Sequence, residues 1–412
     1  METMGPWAVG FRRARATDAR RGGRKLPLAI WYPVAPAEAQ GRRAGYSCVP
    51  LPLMPLRVRS DTAVWDAPIA RARKWPVVIF LHGLPSLETQ SPNYTETLAS
   101  HGFVVVAVRH TGTSVFSIGR DVRRWLSALK KGATPDLPRT LPGEQPPGGL
   151  CATAAAARRG EAWALEWAGR PSAFCLSRTF DAWFAMDWVA EQARTPSSFL
   201  HGAVDPDRVG LTGHSAGGSI CLAAAAGYGG SPPDPRIRAI VPIAPAGTAF
   251  VPAEALDTVA APALFVAAGS DKLAPWAEET RRVFDLIPSR AKAIARIRGA
   301  AHTHFADIEG YVHLAKSFGF YPWVWRLVGP AFLSRLYDDT HAPGALPAYE
   351  SQRLLNKYAV AFLALHLKGD DAGRALLTPG QAGGHEPAVD LLTRPGNTTR
   401  EAATATAAGG SP

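Results

Sequence analysis

Short runs of apolar, mostly β-branched residues alternate along the chain with longer segments whose apolar positions recur every three or four residues. LPLAIWYP (26–33), WPVVIFLHG (75–83), FVVVAVRH (103–110), RVGLTGHS (208–215), IRAIVPIAP (237–245), APALFVAAGSD (261–271) and AKAIARIRGAAH (291–302) read as strands, the first ended by Pro33. NYTETLASHG (93–102), FDAWFAMDWVAEQ (180–192), AGGSICLAAAAG (216–227) and SQRLLNKYAVAFLALHLKG (351–369) read as helices, with Gly102 and Gly369 as stops. In the second of these, Phe180, Trp183, Phe184, Trp188 and Val189 form a stripe at helical spacing that reads as core. Strands spaced by helices predict an α/β fold, a doubly wound and mainly parallel sheet with its reactive loops at the strands' carboxyl ends.

Two segments break this rhythm. KKGATPDLPRTLPGEQPPGGL (130–150) is dense in proline and glycine and reads as a surface excursion, followed by a helical stretch at 151–170. Residues 311–350 gather Tyr311, Phe318, Phe320, Tyr321, Trp323, Trp325, Phe332 and Tyr337, enough aromatic area for a lid or an apolar pocket wall, or for ordinary packing. The organisation that follows is one catalytic domain over 1–377 with lid-like insertions at about 130–180 and 311–350, and a loosely ordered C-terminal tail over 378–412.

Composition narrows the class. Hydrophobic residues make up 47% of the 412 and charged residues 19%, which excludes disorder as the main state. The formal charge is +11, with Arg12, Arg13, Arg15, Arg20, Arg21, Arg24, Lys25, Arg42, Arg43 and Arg57 concentrated near the start. No base-stacking stripe or reading helix accompanies them, so nucleic acid is not expected as a partner and a solubilising basic surface is. Contact with an acidic membrane surface or another copy of the chain stays open. Cys48, Cys151, Cys175 and Cys221 contain no C-x-x-C pair; Cys221 reads as a buried thiol, and Cys151 with Cys175 as a pair that a secreted form would oxidise. No apolar run suits a signal peptide or a transmembrane helix, which places the chain as given in the cytoplasm, the alternative being a secreted mature form whose leader has been removed.

Gly213-His214-Ser215-Ala216-Gly217 matches G-x-S-x-G between an expected strand and an expected helix. Small flanks permit the strained turn that lifts the Ser215 hydroxyl above the sheet. A serine hydroxyl needs a base, and the base needs an orienting acid. Asp271, ending the strand ALFVAAGSD, and His302, after Gly299-Ala300-Ala301, follow Ser215 in the required order, separated by 56 and then 31 residues. Asp257 is the reserve acid, and Lys272 is a competing partner for Asp271. His304 is the second histidine, expected to be a pocket or surface group. Oxyanion donors are expected at the backbone N–H groups of Leu84 and Ala216, with His82 supporting the loop. H-E-x-x-H, a phosphate loop and a dinucleotide fingerprint are all missing from the sequence, so no metal and no cofactor is expected.

Taken together, LPLAIWYP (26–33), HGLPS (82–86), LASHGFVVVAVRHTGTS (98–114), GHSAGG (213–218), AAGSDKLAP (267–275) and HTHFAD (302–307) resemble the α/β-hydrolase superfamily. Within it the chain is similar to the platelet-activating-factor acetylhydrolases, and next to the dienelactone-hydrolase-like esterases. By position the resemblance implies Ser215, Asp271 and His302 as a triad and Leu84 and Ala216 as the oxyanion hole. It implies a serine carboxylic ester hydrolase working through an acyl-enzyme on short to medium acyl esters of small molecules or lipids, without calcium. Acyl transfer, cyclisation or amide cleavage by the same fold is the alternative, and a non-catalytic interaction protein is the alternative of a different class. Arg109-His110 stands where the family often carries a Glu-His pair, and the insertion at 130–180 is larger than in a minimal member.

Overall fold

The computed structural model describes residues 4–51, 54–84, 86–112, 173–307, 342–380 and 386–393. In these, β1 (Ala8–Asp18), β2 (Arg24–Val34), β3 (Arg43–Leu51), β4 (Met54–Trp65), β5 (Trp75–Leu81), α1 (Pro92–Ser100), β6 (Val104–Val108), α2 (Ala173–Arg194), β7 (Val204–His214), α3 (Ala216–Ala225), β8 (Ile237–Ile243), α4 (Ala253–Leu256), β9 (Ala263–Ala268), α5 (Arg282–Leu286), β10 (Lys292–Ile297), α6 (Ala348–Lys368) and β11 (Val389–Thr393) follow in order. All the described strands join one sheet in the order β11-β10-β9-β8-β7-β5-β6-β2-β1-β4-β3. The block from β6 through β5, β7, β8 and β9 to β10 is parallel throughout. This is the expected doubly wound architecture, an α/β-hydrolase fold.

The parallel block lies at the centre because its strands are apolar on both sides. Every residue of β5 and β6 is buried. Successive side chains point to opposite faces, so Val77, Ile79 and Leu81 enter the core under α2 and α3 while Val78 and Phe80 enter the core under α1 and α6. Burial of a side chain of this size contributes about 1.5–3 kcal/mol. The two cores fix the strand register and hence the height at which each strand's carboxyl-end loop begins.

Three expectations change. Pro33 does not end its strand: β2 runs to Val34, and Pro27 and Pro33 stand just outside the Leu28–Trp31 stretch that pairs with β6. Both stay opposite β1, at Arg15 and Val9, and beyond the end of the β6 pairing the missing proline N–H removes no donor from that ladder. The arginine-rich start is β1, antiparallel to β2, with Arg13, Arg15 and Thr17 exposed and Ala16 and Asp18 buried on the other side. Several of its neighbouring arginines also do more than solubilise, as described below. The region after 378 is not wholly a loose tail, since Val389–Thr393 pairs antiparallel with β10 as the sheet's edge strand. Most of the two aromatic insertions, the helical stretch at 151–170, Cys151 and the final segment 397–412 lie outside the described residues. Of the remaining cysteines, Cys175 and Cys221 are buried, and burial raises the Cys221 thiol well above its ordinary value.

Candidate active site

The turn between β7 and α3 is tightly constrained. Ser215 has φ 59° and ψ −126°, a backbone conformation that non-glycine residues rarely adopt and one that costs on the order of 1–3 kcal/mol. Its N–H donates to the Ile243 carbonyl at 2.9 Å, and its own carbonyl accepts from Gly218 at 2.9 Å and Ala246 at 3.1 Å. The flanking glycines are required by close approach: a Cβ at Gly213 would come 2.6 Å from the Leu81 carbonyl oxygen, and one at Gly217 would come 2.0 Å from the same atom. The turn is thereby held against the end of β5, with Ser215 at the carboxyl edge of the parallel block.

Asp271 leaves the loop after β9 and His302 opens a 3₁₀ turn after β10, so both arrive at that same edge. His302 Nε2 lies 2.9 Å from Ser215 Oγ, and His302 Nδ1 lies 2.6 Å from Asp271 Oδ2. The other carboxylate oxygen accepts from the backbone N–H groups of Leu273 at 2.9 Å and Ala274 at 2.7 Å. Asp271 therefore spends its acceptors on His302 and its own loop. Asp257, the reserve acid, is exposed at the C-cap of α4, and the carboxylate bonded to His302 is that of Asp271. His304 is corrected from a pocket or surface group to a buried one: its Nδ1 accepts from the Ala301 N–H at 3.2 Å and lies 3.1 Å from Ser351 Oγ on α6.

The two expected oxyanion donors also flank the serine. Ala216 is the first residue of α3, where an N–H has no acceptor within the helix. Leu84 follows Gly83, which sits so near that a Cβ on it would come 3.2 Å from Ser215 Cβ. A hydrogen-bond chain of one polarity joins this loop to His302. Gly83 N–H donates to Gln90 Oε1 at 2.6 Å, Gln90 Nε2 donates to His214 Nδ1 at 2.7 Å, and His214 Nε2 donates to the His302 carbonyl at 2.8 Å. Burial, reinforced by His302, lowers the His214 pKa well below its ordinary value, so the ring is neutral and suits one donor and one acceptor. Gln90 and His214 escaped the sequence reading. The position of His214 inside the G-H-S signature was their one available signal.

Behind the loop lies a polar cluster that sequence reasoning also missed. His82 Nδ1 lies 2.7 Å from the Gly83 carbonyl oxygen, the supporting role expected for it, and the fully buried Arg178 of α2 reaches both groups. One turn further along α2, Asp181 accepts two bonds from Arg24, each at 2.8 Å, and lies 2.7 Å from Arg21 Nη1 and 3.0 Å from His110 Nδ1. Burial opposes ionisation of Asp181, but its bonds to Arg24 and His110 hold its carboxyl below the usual range. Arg109 forms a two-pronged pair with Glu88. An Arg and an Asp three apart on an apolar aromatic helix were the sequence signal for this cluster.

A hydroxyl bonded to an imidazole, itself bonded through its other nitrogen to a buried carboxylate, is a set of groups able to activate the hydroxyl for attack on an acyl carbon. Residues 172–329 match a family model described as PET hydrolase-like, and residues 55–119 match one for platelet-activating factor acetylhydrolase, isoform II. The chain is 27% identical to platelet-activating factor acetylhydrolase of Bos taurus over 317 residues, covering 74% of this chain and 60% of that protein. It is 24% identical to the Canis lupus familiaris protein of the same name over 275 residues, covering 62% of this chain and 54% of that one. The chain thus spans less than two thirds of the length of these relatives. A ferulic acid esterase from Streptomyces cinnamoneus shares the fold with a TM-score of 0.58 at 21% identity, over 94% of this chain and 96% of that one. The protein has the α/β-hydrolase fold and is a distant relative of the platelet-activating factor acetylhydrolases and similar serine hydrolases. No described helix is long and apolar enough to cross a membrane.

Proposed function

We propose that the protein is a serine carboxylic ester hydrolase that works through an acyl-enzyme. The observation that carries this reading is the pair of contacts from His302, 2.9 Å to Ser215 Oγ and 2.6 Å to Asp271, made at a strained turn on the carboxyl edge of the sheet. In the proposed reaction His302 Nε2 takes the Ser215 proton as Oγ bonds to the acyl carbon, and Asp271 keeps the other ring proton on Nδ1. The N–H groups of Leu84 and Ala216 bond the developing oxyanion. His302 then returns its proton to the leaving alkoxide and releases the alcohol. Water, deprotonated by the same nitrogen, cleaves the acyl-enzyme to carboxylate and free Ser215. The names of the relatives support ester substrates as a class.

The direct test uses p-nitrophenyl esters and a fluorophosphonate. The purified protein is expected to hydrolyse the butyrate, and peptide mass spectrometry is expected to find the probe on the Ser215 peptide. Because the proposed oxyanion donors are backbone groups, and one oxyanion donor is worth about 2.7–4 kcal/mol where a side-chain donor of this kind has been removed, activity should survive exhaustive chelation. Loss on chelation with recovery on adding calcium or zinc would refute this mechanism.

Preference for short to medium acyl chains is supported by the aromatic content of the segments 130–180 and 311–350. Each methylene buried in an apolar pocket contributes about 0.8 kcal/mol, which gives a graded response. Accordingly kcat/KM should rise from acetyl to butyryl or hexanoyl esters and fall for palmitoyl esters. A profile peaking at palmitoyl would overturn the pocket part of the proposal and leave the chemistry standing.

A further inference from the structure

We propose that Arg178 is a positioning residue for the oxyanion-binding loop, aiming the Leu84 N–H by anchoring the carbonyl on the other side of the same peptide bond. The proposal rests on the ester-hydrolase reading of Ser215. Arg178 Nη2 lies 3.2 Å from the Gly83 carbonyl oxygen and 3.2 Å from His82 Nδ1. The tautomer of His82 decides which of the two it serves. His82 Nε2 accepts from the backbone N–H of His110 at 3.2 Å, and burial together with Arg178 holds the ring neutral, so its single proton resides on Nδ1 and is donated to the Gly83 carbonyl at 2.7 Å. Nδ1 then has no lone pair to offer, and the Arg178 N–H also goes to Gly83 O. One carbonyl accepts from two donors.

A trans peptide is planar, with its C=O and N–H antiparallel. Holding the Gly83 carbonyl toward α2 therefore points the Leu84 N–H the opposite way, and a cation on the oxygen polarises that peptide and strengthens its N–H as a donor. The Gln90 bond to Gly83 N–H holds the preceding peptide, so the loop is held on both sides of Gly83. The anchor is itself rigid. The guanidinium lies 5.0 Å over the Phe174 ring, and Asp181, one turn along the same helix, is tied to Arg24 and His110. Burial lowers the Arg178 pKa to about 9, so it is still a cation at neutral pH. Burying a cation is costly unless its donors are used, and here one of them is used on the peptide that carries the proposed oxyanion donor.

The test compares Arg178→Lys and Arg178→Met with the parent, after labelling of Ser215 in the parent has established the hydrolase. Arg178→Lys keeps the charge and folds if the role is local, as checked by circular dichroism and thermal melting, so the result does not hang on the Met variant's stability. Expected losses in kcat are about tenfold for Lys and about a hundredfold for Met, the scale seen when an oxyanion interaction is weakened or removed, with KM changed less than about twofold. Affinity for a trifluoromethyl ketone, whose adduct carries the oxyanion, should fall in proportion to kcat/KM. Folded variants whose kcat matches the parent, a loss confined to KM, or unchanged trifluoromethyl ketone affinity would overturn the role of Arg178 while leaving the hydrolase intact. A parent that neither hydrolyses esters nor takes the probe overturns the hydrolase reading itself.

Discussion

Replacing Ser215 with alanine is expected to abolish fluorophosphonate labelling and to lower ester turnover on the order of 10⁴-fold or more, the scale of nucleophile removal in enzymes with such a triad. The substitution deletes one atom, Oγ, and with it the bond to His302 Nε2. Alanine tolerates φ 59° no better than serine, so the strain of the turn stays, as do the backbone bonds to Ile243, Gly218 and Ala246. The melting temperature should therefore move by only a few degrees at most, since a ΔΔG of about 1 kcal/mol shifts a large domain by about 2–4 °C. Residual turnover would reflect the backbone oxyanion donors and binding alone. An active Ser215→Ala protein that carries the probe on another residue would show that the nucleophile lies elsewhere.

The parallel block and the cluster around Ser215 were legible in the sequence for a shared reason. Strands buried on both faces must be continuously apolar, and Ser215, Asp271 and His302 stand just past where those runs stop, so β5, β7, β9 and β10 announced both themselves and their end residues. The β1 strand was not legible because its exposed side carries Arg13, Arg15 and Thr17, which read as solubilising surface, and Arg21 and Arg24 just after it read the same way although they bind Asp181. Val389–Thr393 was hidden by its brevity and by the polar sequence around it. The supports of the site were hidden by distance. Arg178 meets Gly83 across 95 positions and Gln90 meets His214 across 124, and no local pattern encodes a contact between residues so far apart. Sequence pattern reports the groups that would do chemistry, whereas the groups that aim them are ordinary polar residues until folding places them.

The histidine pair separates a chemical role from a structural one within two positions. His302→Ala should match the serine variant in turnover, with a loss on the order of 10⁴-fold, because it removes the group bonded to both Ser215 Oγ and Asp271. It also leaves the buried Asp271 carboxylate without its imidazole partner, and added imidazole, small enough to enter the vacated space, should restore part of the activity. His304→Ala should keep the chemical step, since its ring faces Ser351 and the Ala301 N–H and neither Ser215 nor Asp271. Its cost should fall on stability instead, about 1–3 kcal/mol for leaving the buried Ala301 N–H without its acceptor, read as a lower melting temperature with kcat within about tenfold of the parent. That residual sensitivity in kcat is expected because Ala301 is the residue immediately before His302, and loosening it loosens the proposed base. Steady-state kinetics and thermal melts of the two variants, measured side by side, decide the matter: a turnover collapse in His304→Ala with a near-normal His302→Ala would move the base to position 304.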